Sequence, residues 1–245
     1  MKKIIINQMY FQVIPCCSPK GDIWEDIQQK KWDAETFIFF ENFIRPDKSF
    51  IDIGGWIGTT TLEAYAYNPK HIYSIEADPA NFQTLKYNVH NNLMFDKTTL
   101  FNACLTDKKR ANKSVLFGTA NKELPNRSNQ RLDNGSRIFV QTYNAWKFLS
   151  KNCNLADVNT LNIDIEGSER LLTEVFYKLD GRKHILLSLH PPFFSDKKKA
   201  CDNIMESIRK YDILDSFEYK NINRNLFRDY MMSDKFFSVV LSKTR

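Results

Sequence analysis

The sequence predicts an α/β fold: a doubly wound, mostly parallel sheet with a short N-terminal extension and a flap-like insertion. Three observations predict it. From residue 49 onward, short β-rich apolar runs alternate with segments of helical periodicity. A turn carrying Gly54, Gly55 and Gly58 follows the first run, where a doubly wound sheet receives its ligand. An acid, Glu76, closes the second run about twenty residues later.

Ahead of the sheet, residues 3–14 read as one or two short strands ending at Pro15. Met1-Lys2-Lys3-Ile4-Ile5-Ile6 begins like a secretory leader, but the apolar run stops at Asn7 and a strand is expected instead. Asp22 is placed to cap a helix running through Trp32, and Asp33 a second from Ala34 to Phe43. Arg45-Pro46-Asp47-Lys48 then breaks the chain. Residues 1–48 are thus expected to pack as an extension on a core of residues 49–245.

Within that core, Ser49 to Ile53 is a buried strand and Thr59 to Tyr67 a helix. His71 to Ile75 is the second strand, Ala80 to Asn91 the second helix, and Thr98 to Cys104 a third strand. Thr160 to Ile165 is the fourth core strand, followed by a helix from Ser168 and a strand from His184 to Leu189. A helix from about Lys198 to Tyr211 precedes two strands, Phe217–Asn221 and Phe236–Ser242, expected to pair as a hairpin-like unit. Residues 108–145 break the rhythm with a polar stretch between Val115-Leu116-Phe117 and Ile138-Phe139-Val140. A loop that long is usually functional, and it reads as a flap over the site. Arg127, Arg131 and Arg137, in or beside it, are of the type that grips phosphates, although most of them are expected simply to be solvent-exposed.

Bulk properties narrow the class. Hydrophobic residues at 42% and charged residues at 26% fit an ordinary globular chain, and no apolar run is long enough to span a bilayer. Five scattered cysteines without a C-x-x-C pair argue against a disulfide framework or zinc site and for a reducing cytoplasm. A net charge of +6 mildly favours an anionic partner.

The turn after the first strand has a chemical reading. Glycines there let a ligand approach the backbone closely and the next helix pack. Thr59 and Thr60 open a helix whose free amides can hold a carboxylate. Glu76, followed by Ala77, is placed to accept both hydroxyls of an adenosine ribose. A nicotinamide site would show G-x-G-x-x-G, whereas here Asp52 stands two residues before Gly54. An acid there suits a cofactor with an amino group and a sulfonium, so S-adenosylmethionine is the expected ligand.

Asn162-Ile163-Asp164-Ile165-Glu166-Gly167-Ser168-Glu169 ends the fourth strand with two carboxylates facing the same crevice. Asp164 and Glu166 invite a cation, a metal or a shared proton, while Glu169 reads as a helix cap. Together with Phe50 to Gly58 and Ile75 to Pro79, this segment resembles the FkbM-type methyltransferases in order and spacing over roughly residues 32 to 190. Leu105-Thr106-Asp107 and Gln141-Thr142-Tyr143 fit as well. The chain departs from the pattern at Asn162, where a lysine is common, and at Gly55 and Trp56. The resemblance implies a class I, Rossmann-like seven-stranded domain that binds S-adenosylmethionine through Asp52, Gly54, Gly55, Gly58, Thr59, Glu76, Ala77 and Asp107. It also implies O-methylation of sugar or polyketide hydroxyls, in bacterial surface polysaccharide or natural-product pathways.

Methyl transfer to an alcohol needs alignment and a means of ionising the hydroxyl. His190, at the end of the fifth strand, stands beside Asp164 and Glu166 if the strand order is that of class I enzymes. Two active roles compete with a purely structural one. His190 can be the base, oriented by a carboxylate, or Asp164, Glu166 and His190 can ligate a divalent cation such as manganese, magnesium or iron. The expected acceptor is a carbohydrate, nucleotide-sugar or related phosphorylated small molecule. The alternative is N-methylation of nucleic acid or protein, kept open by His190-Pro191-Pro192-Phe193, which looks like the D/N-P-P-Y/F element of amino methyltransferases. Nucleic acid is the less expected partner, since no RNA-recognition domain accompanies the core.

Overall fold

A computed structural model describes residues 1–18, 21–117, 138–179 and 183–243. The chain opens with a hairpin of β1 (Lys2–Ile6) and β2 (Met9–Val13), turned by Asn7 and Gln8 at positive φ. A short pair, β3 (Cys17–Ser18) and β4 (Gly21–Asp22), leads into α1 (Ile23–Gln28) and α2 (Ala34–Phe43). Asp22 caps α1 as expected, accepting from the Trp24 N–H, but the helix stops at Gln28, well short of Trp32. Asp33 precedes α2 without capping it. Its backbone is left-handed, and its side chain makes no cap hydrogen bond.

The core then follows as β5 (Ser49–Ile53), α3 (Thr59–Ala66), β6 (His71–Glu76), α4 (Pro79–Asn91) and β7 (Thr98–Asn102). After these come β8 (Cys104–Thr106), β9 (Ser114–Phe117), β10 (Ile138–Asn144), α5 (Ala145–Asn152) and β11 (Val158–Ile163). A 3-10 turn (Glu169–Leu171), α6 (Thr173–Lys178), β12 (His184–Leu189) and α7 (Lys197–Ser207) lead to β13 (Asp212–Asp215), α8 (Arg224–Met232) and β14 (Phe237–Ser242).

The main sheet has seven strands in the order β13-β14-β12-β11-β5-β6-β7. Only β14 runs against its neighbours. Side-chain alternation sorts each strand between two layers. Ile51 and Ile53, Leu161 and Ile163, and Ile185 and Leu187 face the layer of α5 to α8. Phe50, Leu186 and Val240 face α2 and α3. Fully burying a side chain such as Phe50 contributes about 1.5–3 kcal/mol. The N-terminal segment is built into this body: Ile4, Phe11, Trp24 and Phe37 share a core with Leu62 of α3 and Leu85 and Val89 of α4.

Two further expectations are corrected. The third strand is two. The Asn102 amide donates to the Glu76 and Ala77 carbonyls and the Ala103 N–H to Glu76, so β7 ends there. β8 then joins a separate three-stranded sheet, β8-β10-β9. That sheet frames the insertion as an antiparallel β9–β10 pair, while residues 118–137, with Arg127, Arg131 and Arg137, lie outside the described residues. At the C-terminus, 217–221 is not a strand. Asp215 accepts from the Phe217 and Glu218 N–H groups and turns the chain, so the strand that pairs with β14 is the earlier β13, and α8 lies between them.

Candidate active site

Strand order reverses between β5 and β11, and the crevice beyond their carboxyl ends is where an open α/β sheet binds ligands. Asp52 pairs in register with Asn162 on β11 and Ser74 on β6, so three polar side chains meet inside the sheet. The Asp52 carboxylate is fully buried. Its Oδ2 accepts from the Thr60 and Thr61 hydroxyls, both at 2.7 Å, and its Oδ1 from the Asn162 amide at 3.2 Å. Burial pushes its carboxyl above the ordinary range, against the pull of those hydrogen bonds. Asp52 therefore shapes the turn from beneath, and Asn162 supplies one of its donors.

The glycines answer to packing as much as to a ligand. Gly54 has φ +101°, and a Cβ there would lie 1.8 Å from the Asp164 carbonyl oxygen. At Gly55 a Cβ would lie 2.3 Å from the Ser74 hydroxyl. The Gly54 and Gly55 N–H groups both donate to the Ile75 carbonyl, which bends the loop over β6. Gly58 then stands as N-cap of α3, and neither it nor Thr59 covers the free amides of the first turn with a side-chain cap.

Glu76 leans back into this loop. Its Oε2 accepts from the Trp56 N–H at 2.9 Å and its Oε1 from the Asp78 N–H at 2.7 Å. Burial raises its carboxyl to about 7, despite both bonds. Trp56, at φ 46°, stacks on Trp32 of the N-terminal segment with ring centroids 6.2 Å apart.

Across the crevice the Asp164 N–H donates to the Ile53 carbonyl, holding the end of β11 against the glycine loop. His190, immediately after β12, is buried between Phe193, stacked on it, and Phe236. Its Nε2 faces Asp164 Oδ1 at 3.6 Å and Glu166 Oε2 at 3.8 Å. Its Nδ1 meets Glu169 Oε1 at 2.9 Å. The three expected residues are thus brought together, and a fourth joins them.

The Methyltransferase FkbM domain matches residues 52–211, well over half of the chain. The chain belongs to the FkbM methyltransferase family. Among solved structures, this FkbM-family chain is similar to a precorrin-6y C5,15-methyltransferase from Geobacter metallireducens, at 13% identity over 96% of this chain and 94% of that one, TM-score 0.47. It is also similar to M. jannaschii TYW2 in complex with AdoMet, at 11% identity over 96% and 80%, TM-score 0.45. A third likeness is the B. subtilis M1A22 tRNA methyltransferase TrmK, at 10% identity over 85% and 65%, TM-score 0.44. These likenesses concern the fold alone. No curated protein matches the chain significantly. Among the described residues no helix is long and apolar enough to cross a membrane, and Cys104, Cys153 and Cys201 are buried and form no disulfide.

The remaining site residues of this FkbM-family chain divide. Ala77, next to Glu76, packs partly buried against Cys104, Val140 and Leu171. Asp107 is spoken for: it accepts from the Arg110 N–H and pairs with the Arg110 guanidinium at 2.6 Å. Glu169, which reads as a simple cap in sequence, opens the 3-10 turn but aims its carboxylate inward. It is fully buried and also accepts from the Gly167 N–H at 2.9 Å. Glu166 and Gly167 sit at φ 52° and 96°, and that turn is what brings Glu169 under His190.

Charge around His190 is lopsided. Asp164 is raised to about 6, mainly by burial and further by Glu169, Asp52 and Glu35, with His190 opposing. Asp33 reaches solvent, yet crowding and the nearby Asp164 and Glu35 push it up to about 7. Burial works against the His190 proton, but Glu169, Asp164 and Glu166 outweigh it and raise the imidazole to about 9. At neutral pH His190 is accordingly an imidazolium, the counter-charge of its carboxylates.

Proposed function

We propose that the chain is an S-adenosylmethionine-dependent O-methyltransferase whose acceptor is a carbohydrate or a related, phosphorylated small molecule. The observation that carries this reading is the meeting, at one sheet reversal, of the glycine loop with Glu76 on one side and Asp164, Glu166 and His190 on the other, in a chain of the FkbM family. The adenosine ribose donates its hydroxyls to Glu76. The donor's carboxylate meets the uncapped amides at the start of α3, whose partial positive charge favours an anion. Asp52 acts beneath the loop and holds its shape.

The acceptor hydroxyl lies against Asp164 and Glu166, in line with the donor's methyl–sulfur bond. As the oxygen attacks the methyl carbon, the carbon–sulfur bond breaks and the hydroxyl proton passes to a carboxylate. His190, fixed by Glu169, faces both acids and opposes the rise that burial imposes on the Asp164 carboxyl. The resemblance to hydroxyl-methylating relatives favours oxygen as the acceptor atom. One observation favours a second reading, methyl transfer to an amine: the excess of carboxylate around Asp33, Asp164 and Glu166 suits a cationic substrate.

The test has two stages. Calorimetry with S-adenosylhomocysteine should show micromolar-range binding, and a folded sample without it would refute the donor assignment. Labelled donor is then screened against sugars, nucleotide-sugars and phosphorylated metabolites, and the product's linkage is read by mass spectrometry. Label on nitrogen in place of oxygen would select the second reading.

A further inference from the structure

One polar cluster of this molecule is short of positive charge. Among the described residues, Asp164, Glu169 and His190 form the group whose donor atoms, one from each, lie within 4.8 Å of one another. Two of its oxygens are buried and lack any hydrogen-bond partner: Asp164 Oδ1 and the second oxygen of Glu169, Oε2. An ionised carboxylate oxygen without a partner in such a place is costly, and a native site normally supplies its partner. Glu169 is itself wholly inaccessible to water, so bulk solvent cannot serve it. Glu166 approaches the same imidazole from the mouth at 3.8 Å.

We infer that Asp164, Glu169 and His190 bind a divalent cation, with Glu166 at its open side. Two carboxylates and one imidazole make an oxygen-rich donor set suited to Mn²⁺ or Mg²⁺ more than to the thiolate-seeking metals. The imidazole is held by packing between Phe193 and Phe236, which limits the directions its nitrogens can take toward a cation. The cation's role in catalysis rests on the methyl-transfer reading: lying beside the donor's loop, it receives the acceptor oxygen and lowers the cost of ionising it. Its binding does not rest on that reading.

The experiment titrates Mn²⁺ into the purified full chain, followed by EPR of free manganese, with and without S-adenosylhomocysteine. One tight equivalent is expected, weakened at least about 10-fold in Asp164→Asn and in Glu169→Gln. Circular dichroism and S-adenosylhomocysteine affinity monitor whether each variant is folded. Should Glu169→Gln not fold, Asp164→Asn, whose side chain is partly exposed, decides alone. No manganese bound by a chain that binds S-adenosylhomocysteine overturns the metal site, as does binding that both variants leave intact. Manganese bound by a chain that fails to bind S-adenosylhomocysteine upholds the metal site and overturns the donor reading.

Discussion

The two sides of the crevice satisfy their buried carboxylates differently. On the donor side, Asp52 and Glu76 have hydrogen-bond donors on both oxygens, drawn from two threonines, an asparagine and two backbone N–H groups. On the acceptor side, Asp164 and Glu169 each keep a buried oxygen with no donor. The donor side is therefore a finished network of neutral donors. The acceptor side is a charge cluster that is complete only with an added cation, be it the His190 proton, a metal or a positively charged acceptor. On the proposed reading, preorganised hydrogen bonding recognises the cofactor, and uncompensated charge is kept for the reacting group.

The largest expected effect separates the two sides. His190→Ala should lower turnover by about 10²–10⁴-fold while S-adenosylhomocysteine affinity stays unchanged, read by labelled-donor assay and calorimetry. A matching loss of cofactor affinity would mean the sides are not independent. Gly54→Ala should cost about 2–6 kcal/mol in urea unfolding, because left-handed backbone strain adds to the clash with the Asp164 carbonyl. Retained stability would show that the loop can move away from β11.

Glu76→Gln should weaken donor binding about 10–100-fold, the value of hydrogen bonds to a charged acceptor. The wild-type pH dependence follows from the same residue. Its folded pKa of about 7 stands above the ordinary carboxylate value of 4.5, so ionising it opposes folding as pH rises from 4.5 through 7. Ribose hydroxyls favour the ionised form, so donor affinity should fall as pH drops below about 7. Glu76→Gln should flatten that fall, and a slope unchanged in the variant would remove Glu76 from the ribose. The smallest effect is expected at Asp107. Asp107→Asn disturbs a partly exposed pair with Arg110, so stability should change by less than about 1 kcal/mol. A large loss of donor affinity there would show that Asp107 exchanges Arg110 for the cofactor.

Sequence alone determined the α/β alternation, the glycine loop, the acid after the second strand and the nearness of His190 to Asp164. All of these depend on strand order and on residues a few positions from a strand end, and the apolar period of two fixes which way they face. Tertiary structure alone decided the role of Glu169. Whether a glutamate caps a helix or turns inward depends on the left-handed turn at Glu166–Gly167 and on a histidine twenty-one residues away. Asp33 is a similar case: its spacing suits a cap, but its left-handed backbone leaves the carboxyl beside Asp164. The C-terminal strand shifted for a local reason too, because the Asp215 side chain could compete for the backbone N–H groups of Phe217 and Glu218. Periodicity records which residues are buried. It does not record which buried acid finds a partner, and at this site that difference separates Asp52 and Glu76 from Asp164 and Glu169.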